Sequence, residues 1–153
     1  MPPSEKLQSL GLTLPPVATP VGSYRPAVCS AGFIYTSGQL PMRDGELLYT
    51  GKLGRDVSLE QAIVAARQAG LNALAAAADA ASGIDRIQSI LRVNVFVASA
   101  EGFTDQPKVA NGASDLFLEI FGDAGRHTRA ALGVAELPLN APVEIDLIAG
   151  IKN

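Results

Sequence analysis

The stretch His127-Thr-Arg-Ala-Ala-Leu-Gly-Val-Ala-Glu-Leu-Pro-Leu-Asn-Ala-Pro-Val-Glu-Ile-Asp-Leu-Ile-Ala-Gly-Ile151 decides how this chain is read. Arg129 opens an apolar run that ends near Ala135. A break follows at Glu136–Pro142. Val143–Ala149 then alternates apolar and polar residues, the period of a half-buried strand. Two strands joined by a proline-containing loop form a hairpin, which brings Arg129 and Glu144 towards one region of a sheet. A guanidinium offers a planar fork of donors that matches a carboxylate, so the region is a candidate site for a small acid. On residue types alone, a structural ion pair is the favoured reading.

Outside this stretch, the totals narrow the class. The chain has 153 residues, enough for one domain with its own core. It is 48% hydrophobic and 18% charged, so some apolar surface is expected to meet another subunit. A net charge of −3 leaves no broad basic field for a phosphate backbone, and no nucleic-acid partner is expected. A single cysteine, Cys29, excludes an intrachain disulfide and a cysteine-based metal cluster. The single histidine, His127, leaves a Ser-His-Asp triad arithmetically open, but no G-x-S-x-G elbow accompanies it. The N-terminus lacks the pattern of a signal peptide, and no apolar run reaches a membrane-spanning length, so a cytoplasmic protein without membrane contact is expected.

Working back from His127, Thr104 or Asp105 to Phe121 reads as a helix with Val109, Leu116, Phe117, Ile120 and Phe121 buried. Ile90–Val97 is the most strand-like run of the chain. Before it, Ser58-Leu-Glu-Gln61 is a capping box that opens a long alanine-rich helix ended at Gly83. Ala27–Ser30 and Phe33–Ser37 read as a hairpin. Gly38–Gly45 reads as a loop with a turn at Asp44-Gly45. Residues 4–11 allow a short helical turn, and Leu14–Pro20 is too rich in proline for regular structure. The order β-β-α-β-α-β-β describes a single α+β domain over residues 1–153. It has a mixed sheet, two helices on one face, and a proline-rich extension over residues 1–20. The other face is left for a neighbouring subunit.

Several motifs now combine. Tyr35-Thr-Ser-Gly-Gln39 precedes Leu40-Pro41, and Val93-Asn-Val-Phe-Val97 follows the alanine helix. Arg129 is followed by Val134-x-x-Leu-Pro138 and by Val143-Glu-Ile-Asp-Leu-Ile-Ala149. In this order they resemble the Rid family, also called the YjgF family and historically labelled L-PSP endoribonucleases, from about Tyr24 to the C-terminus. The resemblance implies a chorismate-mutase-like fold, assembled as a homotrimer with the sheets facing the trimer interior and three clefts between subunits. It also implies cofactor-independent hydrolysis of reactive imines and enamines of the 2-aminoacrylate or 2-iminobutyrate type, giving 2-keto acids and ammonia.

Carried over residue by residue, Arg129 matches the arginine that binds the substrate carboxylate. Glu144 matches the acidic residue that orients the attacking water. Tyr24 matches a cleft-lining tyrosine, Gly38 a backbone position beside the ligand, and Asn111 an asparagine near the cleft. The chain departs from the family pattern at Ala131, where a cysteine is common. It departs again in the segment Asn111–Phe121 and in the Gly122–His127 approach to Arg129. These departures keep a non-catalytic carboxylate- or keto-acid-binding protein open as the alternative. An endoribonuclease is disfavoured by the charge. Read on their own, His127 is a loop histidine in water, Cys29 a small buried residue and Asp105 a helix start.

Overall fold

The computed structural model describes all residues, Met1–Asn153. Five strands form one sheet: β1 (Ala27–Ser30), β2 (Phe33–Thr36), β5 (Ile87–Ala98), β6 (Thr128–Val134) and β7 (Val143–Ile151). Two short strands, β3 (Met42–Arg43) and β4 (Glu46–Leu47), pair separately. The helices are α1 (Pro3–Ser9), α2 (Leu59–Ala81) and α3 (Gln106–Phe121). The large sheet runs β1-β2-β7-β5-β6, antiparallel except for the parallel β5–β6 pair. The fold is therefore the mixed α+β arrangement read from the sequence. The loop expected over 38–45 contains an extra hairpin. Its turn residues Asp44 and Gly45 have φ of 53° and 83°, the left-handed pair a two-residue hairpin requires.

The sequence reading fails at one connection. β6 and β7 are not a hairpin, because β5 lies between them. Parallel strands need a long crossover, and Ser99–His127 supplies it, with α3 as the helix of a βαβ unit. β5 carries the most regular apolar alternation. Val93, Val95 and Val97 are fully buried, so this strand takes the centre. β6, exposed along much of its length, takes the edge.

Helices α2 and α3 cover one face. The Ser58 hydroxyl accepts from the Gln61 amide at 3.1 Å, and the Gln61 side chain accepts from the Ser58 amide at 3.0 Å, which completes the capping box. At the other end Ser82 takes the left-handed conformation. Small residues let α2 and α3 approach closely. A Cβ on Gly112 would collide with the Ile63 carbonyl of α2, and one on Gly70 would lie 3.0 Å from Ala113 Cβ. Alanine is thus a packing choice as well as a helix former. Phe121, expected on the buried side, is only partly buried, while Leu116, Phe117 and Ile120 are inside. No helix is long and apolar enough to cross a membrane.

The opposite face carries no helix. The β5 residues Arg92, Asn94 and Phe96 lie on it, in register with Thr128, Ala130 and Leu132 of β6 and with Ile148, Asp146 and Glu144 of β7. Val28, Phe33, Tyr35 and Leu132 are 41–51% exposed, an apolar surface of the kind that subunits cover.

Cys29 is exposed, contrary to its sequence reading. It lies on the sheet's edge strand, where no further strand can shield it, and its thiol donates to Ala80 O at 3.2 Å. The tight helix crossing yields a test. Gly112→Ala is expected to destabilise by about 2 kcal/mol, as overpacking does, and to lower Tm by roughly 5 °C. A melt within 1 °C or so of wild type would show that the crossing relaxes freely.

Candidate active site

The five candidate residues fall into two groups. Tyr24, Gly38 and Glu144 line one cavity of about 360 Å³. Asn111 and Arg129 meet elsewhere, at the edge of the sheet beside α3. In the sheet register Arg129 pairs with Val93 and Glu144 with Phe96. These two β5 positions are three residues apart and therefore on opposite faces. Arg129 points to the helix side with buried Val93, and Glu144 to the open side. Their backbones are separated by about 14 Å, from two strand spacings and three residue rises. Within one chain they do not form a common site.

The Glu144 cavity is built where β2 runs on into Gly38–Met42. Gln39, buried, exchanges both backbone hydrogen bonds with Ile145, at 2.7 and 3.0 Å. This bridge lays the Gly38 segment against the start of β7. Gly38 leaves room for the Glu144 side chain in its present position, since a Cβ there would lie 2.7 Å from Oε1. Its φ is not positive, so conformational freedom is not its role. The proline-rich extension supplies Ala18, Thr19 and Pro20 to the same wall, Val21 follows them, and the β6–β7 connection supplies Pro138 and Leu139. Tyr24 is 51% exposed at the rim.

Glu144 has neither a salt-bridge partner nor a hydrogen-bond partner within the chain. Burial, with a smaller contribution from Asp146, pushes its carboxyl above the ordinary glutamate range. Asp146 is instead held by Asn94, whose Nδ2 donates to Oδ1 at 2.8 Å.

At the other site, Arg129 Nη1 donates to Asn111 Oδ1 at 2.8 Å and to Ser114 Oγ at 3.1 Å. Both partners are neutral, and Arg129 makes no salt bridge within the chain. Its charge is therefore available to an external anion. The structural ion pair with Glu144, favoured on residue types, does not form.

His127 is also corrected. It is half-buried, its ring packs edge-on to Phe117 with centroids 5.8 Å apart, and both nitrogens are engaged. The cause is Gly125. A Cβ there would collide with the Phe117 carbonyl, so glycine lets the chain fold back onto the end of α3. Ser114 was not identified from sequence. A serine in mid-helix carries no mark of its own, although its place one turn after Asn111 puts both on one helix face. Asp105 does sit at the start of α3, without a side-chain cap bond.

Two pH effects follow. Glu144 has a raised folded pKa, so folding takes up a proton between its unfolded and folded values. The stability it contributes is present below the ordinary glutamate range and is lost as pH rises through the raised value. Glu144→Gln should therefore raise Tm at pH 7–8 by on the order of 2 °C and leave it unchanged near pH 4. His127 is shifted down, by burial first and by Arg129 in addition. There the unfolded state binds the extra proton, and stability falls as pH drops through about 6.5. Melts of wild type, Glu144→Gln and His127→Gln across pH 4–8 check both signs.

Comparison with known proteins places these features in context. The model for YjgF/chorismate_mutase-like proteins, whose description also carries an endoribonuclease label, matches residues 4–151. Protein TCP17 of Trypanosoma cruzi is 43% identical over 148 residues, 96% of this chain and 92% of its own length. The 2-iminobutanoate/2-iminopropanoate deaminase of Dermatophagoides farinae is 33% identical over 143 residues, covering 92% and 95%. Among solved structures, Atu1372 of Agrobacterium tumefaciens superposes with a TM-score of 0.90 at 42% identity, covering 98% of this chain and 92% of that one. With its near-complete family match and the same α+β architecture, the chain belongs to the YjgF/RidA family.

Proposed function

We propose that the protein hydrolyses small α-imino acids and their enamine tautomers, of the 2-aminoacrylate and 2-iminobutyrate type, to 2-keto acids and ammonia. The observation that carries this is an unpaired guanidinium and an unpaired half-buried carboxylate on opposite faces of one sheet. They can share a substrate only if Arg129 of one copy meets Glu144 of another. The apolar open face supports self-association, and a homotrimer with clefts between subunits is the assembly proposed. The deaminase relative at 33% identity supports the chemistry. A cytoplasmic location goes with this reading.

In this mechanism Arg129 binds the substrate carboxylate through its unoccupied donors, and Asn111 holds the guanidinium. Positioning supplies much of the catalysis, because a protonated imine carbon is already electrophilic. Glu144, ionised, accepts a proton from a water that attacks C2, so a C–O bond forms as the C=N π bond breaks. The same carboxyl returns the proton to the amine nitrogen. Glu144, ionised again, then takes the hydroxyl proton as the C–N bond breaks, so the C=O bond of the 2-keto acid forms and ammonia leaves. Burial of Glu144 raises its basicity towards the working pH. Gly38 leaves room at that carboxylate, and Tyr24 closes the rim. No metal or cofactor takes part in the proposed reaction.

Ammonia or keto-acid release from enzymatically generated 2-iminobutyrate tests the reading. Arg129→Ala and Glu144→Gln are each expected to lose about 100-fold or more in kcat/KM. Equal rates for wild type and Arg129→Ala would overturn it. A thermal shift by 2-oxobutyrate without turnover in the wild type would make the protein a binder. Mixing the two inactive variants during refolding should restore roughly a quarter of wild-type activity, the random share of cleft pairings that are intact. No recovery in a mixed oligomer would overturn the shared cleft between copies.

A further inference from the structure

The guanidinium of Arg129 has two N–H bonds on Nη1, and the chain uses both. One goes to Asn111 Oδ1 at 2.8 Å and the other to Ser114 Oγ at 3.1 Å. Nε and Nη2 have no acceptor within the chain. These two atoms form the side-on fork that receives a carboxylate bidentately. Which edge of the guanidinium is free thus depends on what holds Nη1.

Ser114 cannot hold it unaided, because a hydroxyl rotates. Its Oγ lies 2.8 Å from His127 Nε2, and His127 Nδ1 lies 2.7 Å from Gly125 O. A carbonyl only accepts, so Nδ1 carries the proton and Nε2 is the acceptor. The Ser114 hydroxyl therefore donates to Nε2 and turns its lone pairs towards Arg129. The ring is fixed in turn by the edge-on contact with Phe117 and by the Gly125 turn, where a Cβ would collide with the Phe117 carbonyl.

We propose that Ser114 and His127 are positioning residues that set the rotation of the Arg129 guanidinium, so that its Nε–Nη2 edge is presented to the substrate carboxylate. The proposal rests on Arg129 as the carboxylate clamp. Neither residue touches substrate. The relay requires a neutral imidazole, since a protonated Nε2 would donate to Ser114, release the hydroxyl proton from its fixed direction and set a second positive charge beside Arg129. Among the groups packed on the ring from α3, the Gly122–Gly125 turn and β6, Arg129 is the charge that acts on it, and it opposes protonation together with burial.

Wild type alone offers the first test, because His127 is the one histidine of the chain. Its imidazole 15N shifts at pH 7.5 should report the Nδ1–H tautomer, and an Nε2–H tautomer would overturn the relay. The second test measures 2-oxobutyrate binding by calorimetry alongside steady-state kinetics. Ser114→Ala and His127→Phe should weaken binding and raise KM about 3- to 10-fold, the effect of one lost hydrogen bond. kcat should change less than KM, as expected for ground-state positioning. His127→Gln puts an amide oxygen near the Nε2 position and should restore affinity to within about twofold. It should also remove the loss of affinity expected of wild type as pH falls below the histidine range. Unchanged affinity in Ser114→Ala and His127→Phe, or a His127→Gln variant as weak as His127→Phe, would overturn the proposal. Arg129→Ala separates the two claims. If it still binds 2-oxobutyrate, the clamp itself fails. If it loses binding while the Ser114 and His127 variants keep theirs, only the positioning role fails.

Discussion

The central placement of β5 is the constraint on which the site depends. Because this strand lies between β6 and β7, Arg129 and Glu144 are two strands apart. Because their β5 partners are Val93 and Phe96, they also face opposite ways. A hairpin of β6 and β7 would have allowed the two charges to neutralise each other in one chain. The βαβ crossover through α3 prevents this and leaves both unpaired. Unpaired charge near a partly buried surface is costly, and proteins retain it mainly where a ligand or partner completes the pairing.

Each half of the site is prepared by a different part of the fold. On the helix side, close packing of α2 on α3 through Gly70, Gly112 and Ala113 fixes the helix face that carries Asn111 and Ser114. The Gly125 turn then brings His127 over the end of that helix. On the open side, the Gln39–Ile145 bridge lays Gly38 against Glu144. The proline-rich extension, which also sets Leu7, Leu12 and Leu14 against the core, contributes Ala18–Pro20 to the cavity wall, and Val21 follows. The walls are mostly apolar, and that apolar setting is what raises the Glu144 carboxyl. Shape and protonation are thus set by the same residues.

Much of the molecule was legible in its residues. The capping box at Ser58–Gln61, the alternation in β5 and β7, and the Asp44-Gly45 turn act within a few residues and formed as read. Arg129 and Glu144 were singled out by type and by motif order. The failures lie where a long-range choice intervenes. Cys29 is exposed because β1 is an edge strand, and edge or centre is a property of the whole sheet. His127 is half-buried because of a glycine two residues away and a helix end that packs beneath it.

Local physics in the sequence therefore determined most of the elements and the α+β class, while the order of its motifs, by resemblance, pointed to the family and to the two charged residues. Strand alternation, capping and turn geometry operate over a few bonds, so residue order expresses them directly. Strand order, the face each charge occupies and the Ser114–His127 contact were decided only by the tertiary structure. They depend on which of several compatible pairings buries β5 on both sides, and that competition is settled by the chain as a whole.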